Sequence, residues 1–102
     1  MLYVIIAEDA ADSPAKRPAA RPAHMERMKR FQESGKLVIS GPMLKSDNPD
    51  PAVAGIFGSV IIAEFDSLAD AEAWASADPY VAAGAWSKVT VRPYHKGFGR
   101  AQ

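Results

Sequence analysis

Two histidines, His24 and His95, are the side chains best suited to acid–base chemistry in this chain. His95 lies in the basic segment HKGFGR, where a solvated surface residue is expected. His24 lies near the start of the first long predicted helix, and two interpretations of it stay open. It is either a partly exposed residue at a helix start, or a base whose ring is kept neutral by the positive helix terminus.

The chain has twelve carboxylates, and most are expected to be solvated charges or helix caps. Asp78 is followed directly by Pro79, and a residue before proline disfavours the helical conformation, so Asp78 is predicted to end a helix. Arg17 and Arg21 could supply positive charge for an anionic or phenolic substrate, or be solvated arginines. Tyr80 could line a pocket or pack in the core.

Residue types exclude several kinds of site. The absence of cysteine excludes disulfides, thiolate nucleophiles and cysteine-type zinc sites, and it fits a reducing cytoplasm, where we expect the protein. No metal-binding helix motif, nucleophile elbow, phosphate loop or dinucleotide fingerprint is present, so we expect neither a metal ion nor a cofactor. Twelve basic and twelve acidic residues give zero net charge, so neither nucleic acid nor an anionic membrane is an expected partner.

Hydrophobic patterns predict the elements that position these residues. Strands are expected at residues 2–7, 37–40, 56–65 and 87–94, and helices at residues 23–34 and 68–78. Pro18 and Pro22 argue against one regular helix through the first of these regions, so a short helical turn and a new start near Pro22 are expected. Residues 45–55 are predicted to form a long loop within a hairpin.

The order β-α-β-β-α-β predicts a ferredoxin-like α+β fold, with a four-stranded antiparallel sheet and both helices on one face. We expect one domain over residues 1–95 and a flexible C-terminal tail over residues 96–102. If the free face of the sheet is apolar, a second copy would cover it and form a homodimer. The N-terminal segment has no basic region and no apolar run of membrane-spanning length, so it is neither a signal peptide nor a membrane span.

Three stretches together resemble the YCII-related family: MLYVIIAEDAADSPAKRPAARPAHMERM, SGKLVISGPM and GSVIIAEFDSLADAEAWASADPYVAAGAWSKVTVRPY. The resemblance implies a ferredoxin-like fold within the dimeric α+β barrel superfamily. It also implies a histidine–aspartate pair, which falls on His24 of RPAH and Asp78 of ADPYVAAG. Ser40, Gly41 and Pro42 match the turn at the pocket edge.

The residues and the resemblance together predict a small cofactor-independent enzyme acting on a small carbonyl or hydroxylated ring compound, as a lyase, dehydrochlorinase-like enzyme or isomerase. Asp78 would orient His24, whose second ring nitrogen would exchange a proton with the substrate. The expected substrate-binding residues are Arg21, Ser40, Gly41, Pro42 and Tyr80. Two alternatives stay open: a non-catalytic small-molecule-binding or accessory module of the same fold, and a haem- or quinone-handling monooxygenase with His24 or His95 as ligand.

Overall fold

A computed structural model describes residues 1–99 of the chain. The elements, in order, are β1 (Leu2–Asp9), α1 (Ser13–Glu33), β2 (Leu37–Leu44), α2 (Pro51–Ala54), β3 (Ile56–Glu64), α3 (Leu68–Ser76), α4 (Pro79–Ala82) and β4 (Trp86–Tyr94). Within residues 1–99, no helix is both long and apolar enough to cross a membrane. The predicted tail of residues 96–102 includes residues 100–102, which lie outside the described residues.

The four strands form one antiparallel sheet in the order β2-β3-β1-β4. Successive side chains of a strand point to opposite faces, so Tyr3, Ile5 and Ala7 of β1 share one face. The register places Ala63 and Ile61 of β3 beside Tyr3 and Ile5, and all five side chains are buried in the core against the helices. The predicted ferredoxin-like α+β fold is therefore confirmed.

The main difference from the sequence prediction is α1, which is a single helix of 21 residues. Pro18 and Pro22 lie inside it, so the prediction of two helical segments was wrong. A proline inside a helix removes the hydrogen bond to the carbonyl four residues earlier. Pro14, Pro18 and Pro22 follow one another at intervals of four and are all exposed. They therefore share one solvated side of the helix, where the unpaired carbonyls can bond to water.

The opposite side of α1 packs against the rest of the protein. Ala20, Met28 and Phe31 contact the buried core, at a spacing that places them on one helical face. This packing stabilises a helix whose prolines would otherwise interrupt it. His24 lies in the middle of α1, and the partial positive charge of a helix N-terminus acts only within the first turn. It therefore does not act on the His24 ring.

Two four-residue helices each begin at the proline of an Asp-Pro pair. From the sequence, the first pair was predicted to lie in a loop and the second to end a helix. Asp50 precedes α2, and its Oδ1 accepts a hydrogen bond from the Ala52 N–H at 3.0 Å. Asp78 precedes α4, and its Oδ1 accepts one from the Tyr80 N–H at 2.9 Å. Each carboxylate accepts a hydrogen bond from a backbone N–H in the first turn of the helix, and the proline at the first position has no N–H that would need a partner. Asp78 therefore caps the start of α4, and the prediction that it ends a helix was wrong, because α3 already ends at Ser76.

Gly58 lies where β3 approaches β1 closely. A Cβ atom on this residue would lie 2.0 Å from the Ala7 carbonyl oxygen and 3.1 Å from the Glu8 Cα atom. These are backbone atoms of a paired strand, which cannot move without opening the pairing. We expect Gly58→Ala to lower the free energy of unfolding by about 1–3 kcal/mol, measured by urea denaturation.

The matched control for this prediction is Gly41→Ala in β2, where an added Cβ would meet nothing within 4 Å. Its free energy of unfolding should stay within about 0.5 kcal/mol of the unsubstituted protein. Equal stability of the two alanine variants would contradict the prediction for Gly58.

Candidate active site

His24 and Asp78 are 54 residues apart in the chain and in direct contact in the fold. The His24 Nδ1 atom lies 2.9 Å from both carboxylate oxygens of Asp78. The Asp78 side chain is 1% exposed and the His24 side chain 13% exposed, so the contact is shielded from water. An ionised carboxylate can only accept, so Nδ1 carries the proton and donates it to Asp78. The second ring nitrogen, Nε2, makes no hydrogen bond within residues 1–99.

Arg27 is a further donor to Asp78, and the sequence analysis did not single it out. Its Nη1 atom lies 3.3 Å from the Asp78 Oδ2 atom. Its guanidinium lies 4.2 Å from the ring centre of Trp74, and its Nη2 donates to the Trp74 carbonyl oxygen. Burial lowers the pKa of Arg27, and the Asp78 carboxylate opposes that shift only in part. Arg27 follows His24 by three residues, which places both on the same helical face.

Aromatic rings fix the orientation of the His24 imidazole. The Tyr80 ring stacks on it with centroids 4.1 Å apart, and the Trp86 ring meets it edge to face at 5.8 Å. The Tyr80 hydroxyl and the Trp86 Nε1 atom are buried and have no hydrogen-bond partner within residues 1–99. The imidazole therefore has little freedom to turn away from Asp78.

A second buried ion pair, between Asp9 and Arg17, lies beside this arrangement. The Arg17 Nε and Nη2 atoms donate to the two Asp9 carboxylate oxygens at 2.7 and 2.9 Å. The Ser13 hydroxyl donates to Asp9 at 2.9 Å, and Arg17 Nη2 also reaches the Ser59 hydroxyl at 3.4 Å. Burial lowers the pKa of Arg17, but Asp9, with a smaller contribution from Tyr80, raises it above its ordinary value.

A cavity of about 880 Å³ lies between α1 and the strands β2 and β3. Its size is within the range of small-molecule sites in proteins. Its lining includes His24 and all five of the predicted substrate-binding residues: Arg21, Ser40, Gly41, Pro42 and Tyr80. Asp78 is not in the lining and lies behind the imidazole ring.

Ser40, Gly41 and Pro42 differ from the sequence prediction in their local structure. The family resemblance implied a turn at the pocket edge, but these residues lie within β2, which continues to Leu44. The prediction of a turn was wrong because the pairing of β2 with β3 continues past Gly41 and Pro42. The cavity is therefore bordered by a strand at this edge.

The other histidine takes no part in this arrangement. His95 follows β4 and is exposed. Among residues 1–99, no three histidine or carboxylate side chains come together as a group that could hold a metal ion. Ser59 is a lining residue that the sequence analysis missed, because a serine in a strand carries no signal of its own.

The model of the YCII-related domain matches residues 1–95. The chain belongs to the YCII-related family. The resemblance seen in the sequence is confirmed.

Members of the family align with nearly the whole chain. Protein YciI of Escherichia coli O6:H1 and Protein YciI of Shigella flexneri are each 53% identical over 98 residues, which is 96% of this chain and all of each relative. An uncharacterized protein of Haemophilus influenzae is 42% identical over the same shares of the two chains.

One solved structure with the same fold is 5-chloro-2-hydroxyhydroquinone dehydrochlorinase (TftG) from Burkholderia phenoliruptrix AC1100, in complex with 2,5-dihydroxybenzoquinone. The TM-score is 0.84, over 95% of this chain and 96% of that one. The two sequences are 24% identical, so the likeness establishes the shared fold.

Proposed function

We propose that this protein is a small cofactor-independent enzyme that uses His24 and Asp78 for acid–base chemistry on a small carbonyl or hydroxylated ring compound. The observation that carries the proposal is the state of the imidazole. Its Nδ1 atom is held by a buried carboxylate, its Nε2 atom is unpaired within residues 1–99, and the ring lines a cavity of ligand size.

The proposed chemistry is elimination or isomerisation. The Nε2 lone pair takes a proton from the substrate, and Asp78 stabilises the imidazolium that forms. In an elimination, the electron pair left by that proton forms a new double bond, and the leaving group departs with its own bonding pair. In an isomerisation, the same proton returns to a different atom of the substrate. Neither reaction requires a net oxidant or reductant.

The shared fold with TftG makes chlorinated hydroquinones the first compounds to test. The experiment incubates the protein with 5-chloro-2-hydroxyhydroquinone and with unchlorinated hydroxylated rings, and follows chloride release and the proton NMR spectrum. Chloride release above the protein-free rate supports a lyase, and a rearranged product without chloride supports an isomerase. If no compound in the panel is turned over, both the lyase and the isomerase are contradicted.

A second candidate is a non-catalytic module that binds a small molecule. Arg27 favours it, because this cation shares the Asp78 carboxylate with His24 and leaves less of its charge to stabilise an imidazolium. In this case the unpaired Nε2 atom would hold a polar group of the ligand. Saturable binding of ring compounds without any turnover would support this candidate.

We also propose a homodimer formed through the sheet face that carries no helix. The register places Val4 and Ile6 of β1 beside Ile62 and Val60 of β3 on this face, and all four are only half-buried in one chain. Ile39 of β2 pairs with Ile62 and is 61% exposed. A contiguous apolar surface of this kind is typical of an interface, and the same face of a second copy would cover it.

Sedimentation at micromolar concentration tests the dimer. We expect the unsubstituted chain to sediment as a dimer and Ile62→Lys to sediment as a monomer, because a charge in the middle of the interface would be buried without a partner. Ser76→Lys, at an exposed position of α3, should leave the dimer intact. A monomeric unsubstituted chain would contradict the proposal.

The cysteine-free sequence supports a further proposal, that the protein is cytoplasmic.

A further inference from the structure

We infer that the cavity takes a ligand with two chemically different parts: an anionic oxygen group that binds Arg17, and an apolar body that lies between α1 and β2. The inference rests on the proposed function for the location of the ligand, because it assumes that the cavity beside His24 is where a small molecule binds. It adds the class of that molecule and the residue that selects it.

The Arg17 guanidinium is held in a fixed orientation and can bind a ligand. Two of its nitrogen atoms, Nε and Nη2, are fixed by Asp9, whose side chain is 2% exposed. A guanidinium held in this way loses little freedom when it binds a further group. Its third nitrogen atom, Nη1, is not used by Asp9 or Ser59, and the side chain lines the cavity. Arg17 therefore has donors left for an acceptor that enters the cavity.

The Tyr80 ring places this guanidinium beside the imidazole. The Arg17 guanidinium lies 4.6 Å from the centre of the Tyr80 ring, and the same ring stacks on His24. Both groups are therefore held at the same end of the cavity. A small molecule bound to Arg17 through an oxygen would place its neighbouring atoms near the His24 Nε2 atom.

The charges of the cavity lining favour an anion. Arg17, Arg21 and Lys29 are cations in the lining, and Glu26 is the single carboxylate among the lining residues. The buried carboxylate of Asp9 is already shared by Arg17 and Ser13, so it has little capacity left for a cationic ligand. Two hydroxyl groups of the lining, Ser40 and Ser59, can donate further hydrogen bonds to an oxygen.

Most of the remaining lining residues are apolar, and Gln32 is a polar exception. Met25, Met28, Ile56 and Ile61 belong to the apolar part, and Met25 is 49% exposed. Apolar side chains next to a cluster of cations match a ligand with a charged end and an apolar or aromatic body. Such a body would cover the methionine side chains, which adapt readily to its shape.

A matched pair of probes tests the inference: benzoate, which carries a charged oxygen group on a ring, and benzamide, its neutral analogue of the same shape. The full chain is titrated with each probe and followed by NMR. We expect benzoate to bind at least about tenfold more tightly, the effect of a hydrogen bond to a charged group. We also expect benzoate to shift the Arg17 Nε–H signal and to give nuclear Overhauser contacts to the methyl groups of Met25 and Met28.

The variants locate the charge selectivity. Asp9→Asn with Arg17→Gln removes both charges of the buried pair together, so that neither is left unpaired, and should abolish the preference for benzoate. Arg30→Gln, at an exposed position outside the cavity, should keep it. The inference would be overturned if the two probes bind equally, if neither binds, or if benzoate contacts the protein away from Arg17. Each of these outcomes can be observed with the unsubstituted protein.

The same titration separates this inference from the proposed enzyme function. His24→Gln should keep benzoate affinity within about threefold, since the anchor is Arg17 and the expected change is below one neutral hydrogen bond. If benzoate binds at Arg17 but no ring compound is turned over, the enzyme function fails and the ligand class stands. If turnover occurs without preference for the anion, the ligand class fails alone.

Discussion

Replacement of His24 by glutamine is expected to lower turnover by about a hundred- to ten-thousand-fold, the usual contribution of a general acid or base. The glutamine amide can still donate a hydrogen bond to Asp78 and fill much of the space of the ring, but it cannot accept a proton at neutral pH. The rate constant for turnover of the substrate found in the chloride-release or NMR assay is the measurement. The urea midpoint of the variant should stay close to that of the unsubstituted protein.

His95→Gln is the control for this experiment, because it makes the same change at the chain's other histidine, which is exposed beyond β4. It should leave the rate unchanged. Retained turnover in the His24 variant would refute the assignment of the base. An equal loss in the His95 variant would point to histidine chemistry elsewhere in the molecule.

Replacement of Asp78 by alanine is expected to cost about 3–5 kcal/mol of unfolding free energy, because it breaks a buried pair and leaves the Arg27 charge without a carboxylate. The loss of the α4 cap would contribute about 0.5–2 kcal/mol of this. The alanine variant is therefore expected to lose much of its stability. Urea denaturation measures it.

Asp50→Ala is the matched control, because Asp50 caps α2 through the same Asp-Pro arrangement but is exposed and has no arginine partner within residues 1–99. Only the cap energy, about 0.5–2 kcal/mol, should be lost there. Asp78→Asn keeps an oxygen for the Tyr80 N–H and is the better variant for kinetics. Equal losses at Asp50 and Asp78 would show that the ion pair with Arg27 adds nothing to stability.

The strands were predictable because their signal is local. Val4, Ile5 and Ile6 in β1 and the alternation in β4 depend only on neighbouring residues, and the order of elements then leaves few topologies. The single helix α1 was not predictable in this way. The cost of Pro18 and Pro22 depends on whether the carbonyls that lose their donors face water or the core, and only the packed structure specifies that side.

Some residues of the candidate site could be predicted from local sequence and others could not. His24 and Asp78 were found because both lie in recognisable motifs, RPAH and ADPYVAAG. Arg27 was missed as part of the site, and Arg17 was named only as a possible charge for a substrate, without its partner Asp9. An arginine on a helix has the same local pattern whether it is solvated or buried. Spacing from His24 places Arg27 on the same face, but only the position of Trp74 and Asp78 shows that this face is covered.

The amino-acid sequence was sufficient for the fold class, the family and the identity of the two paired residues, because periodicity and short motifs depend on residues close together in the chain. Tertiary structure alone decided that His24 lies in mid-helix, that its Nδ1 atom meets Asp78 at 2.9 Å, and that Arg27 shares the same carboxylate. These contacts join residues more than fifty positions apart. They depend on how α1 packs beside α4, which is determined by burial across the whole molecule.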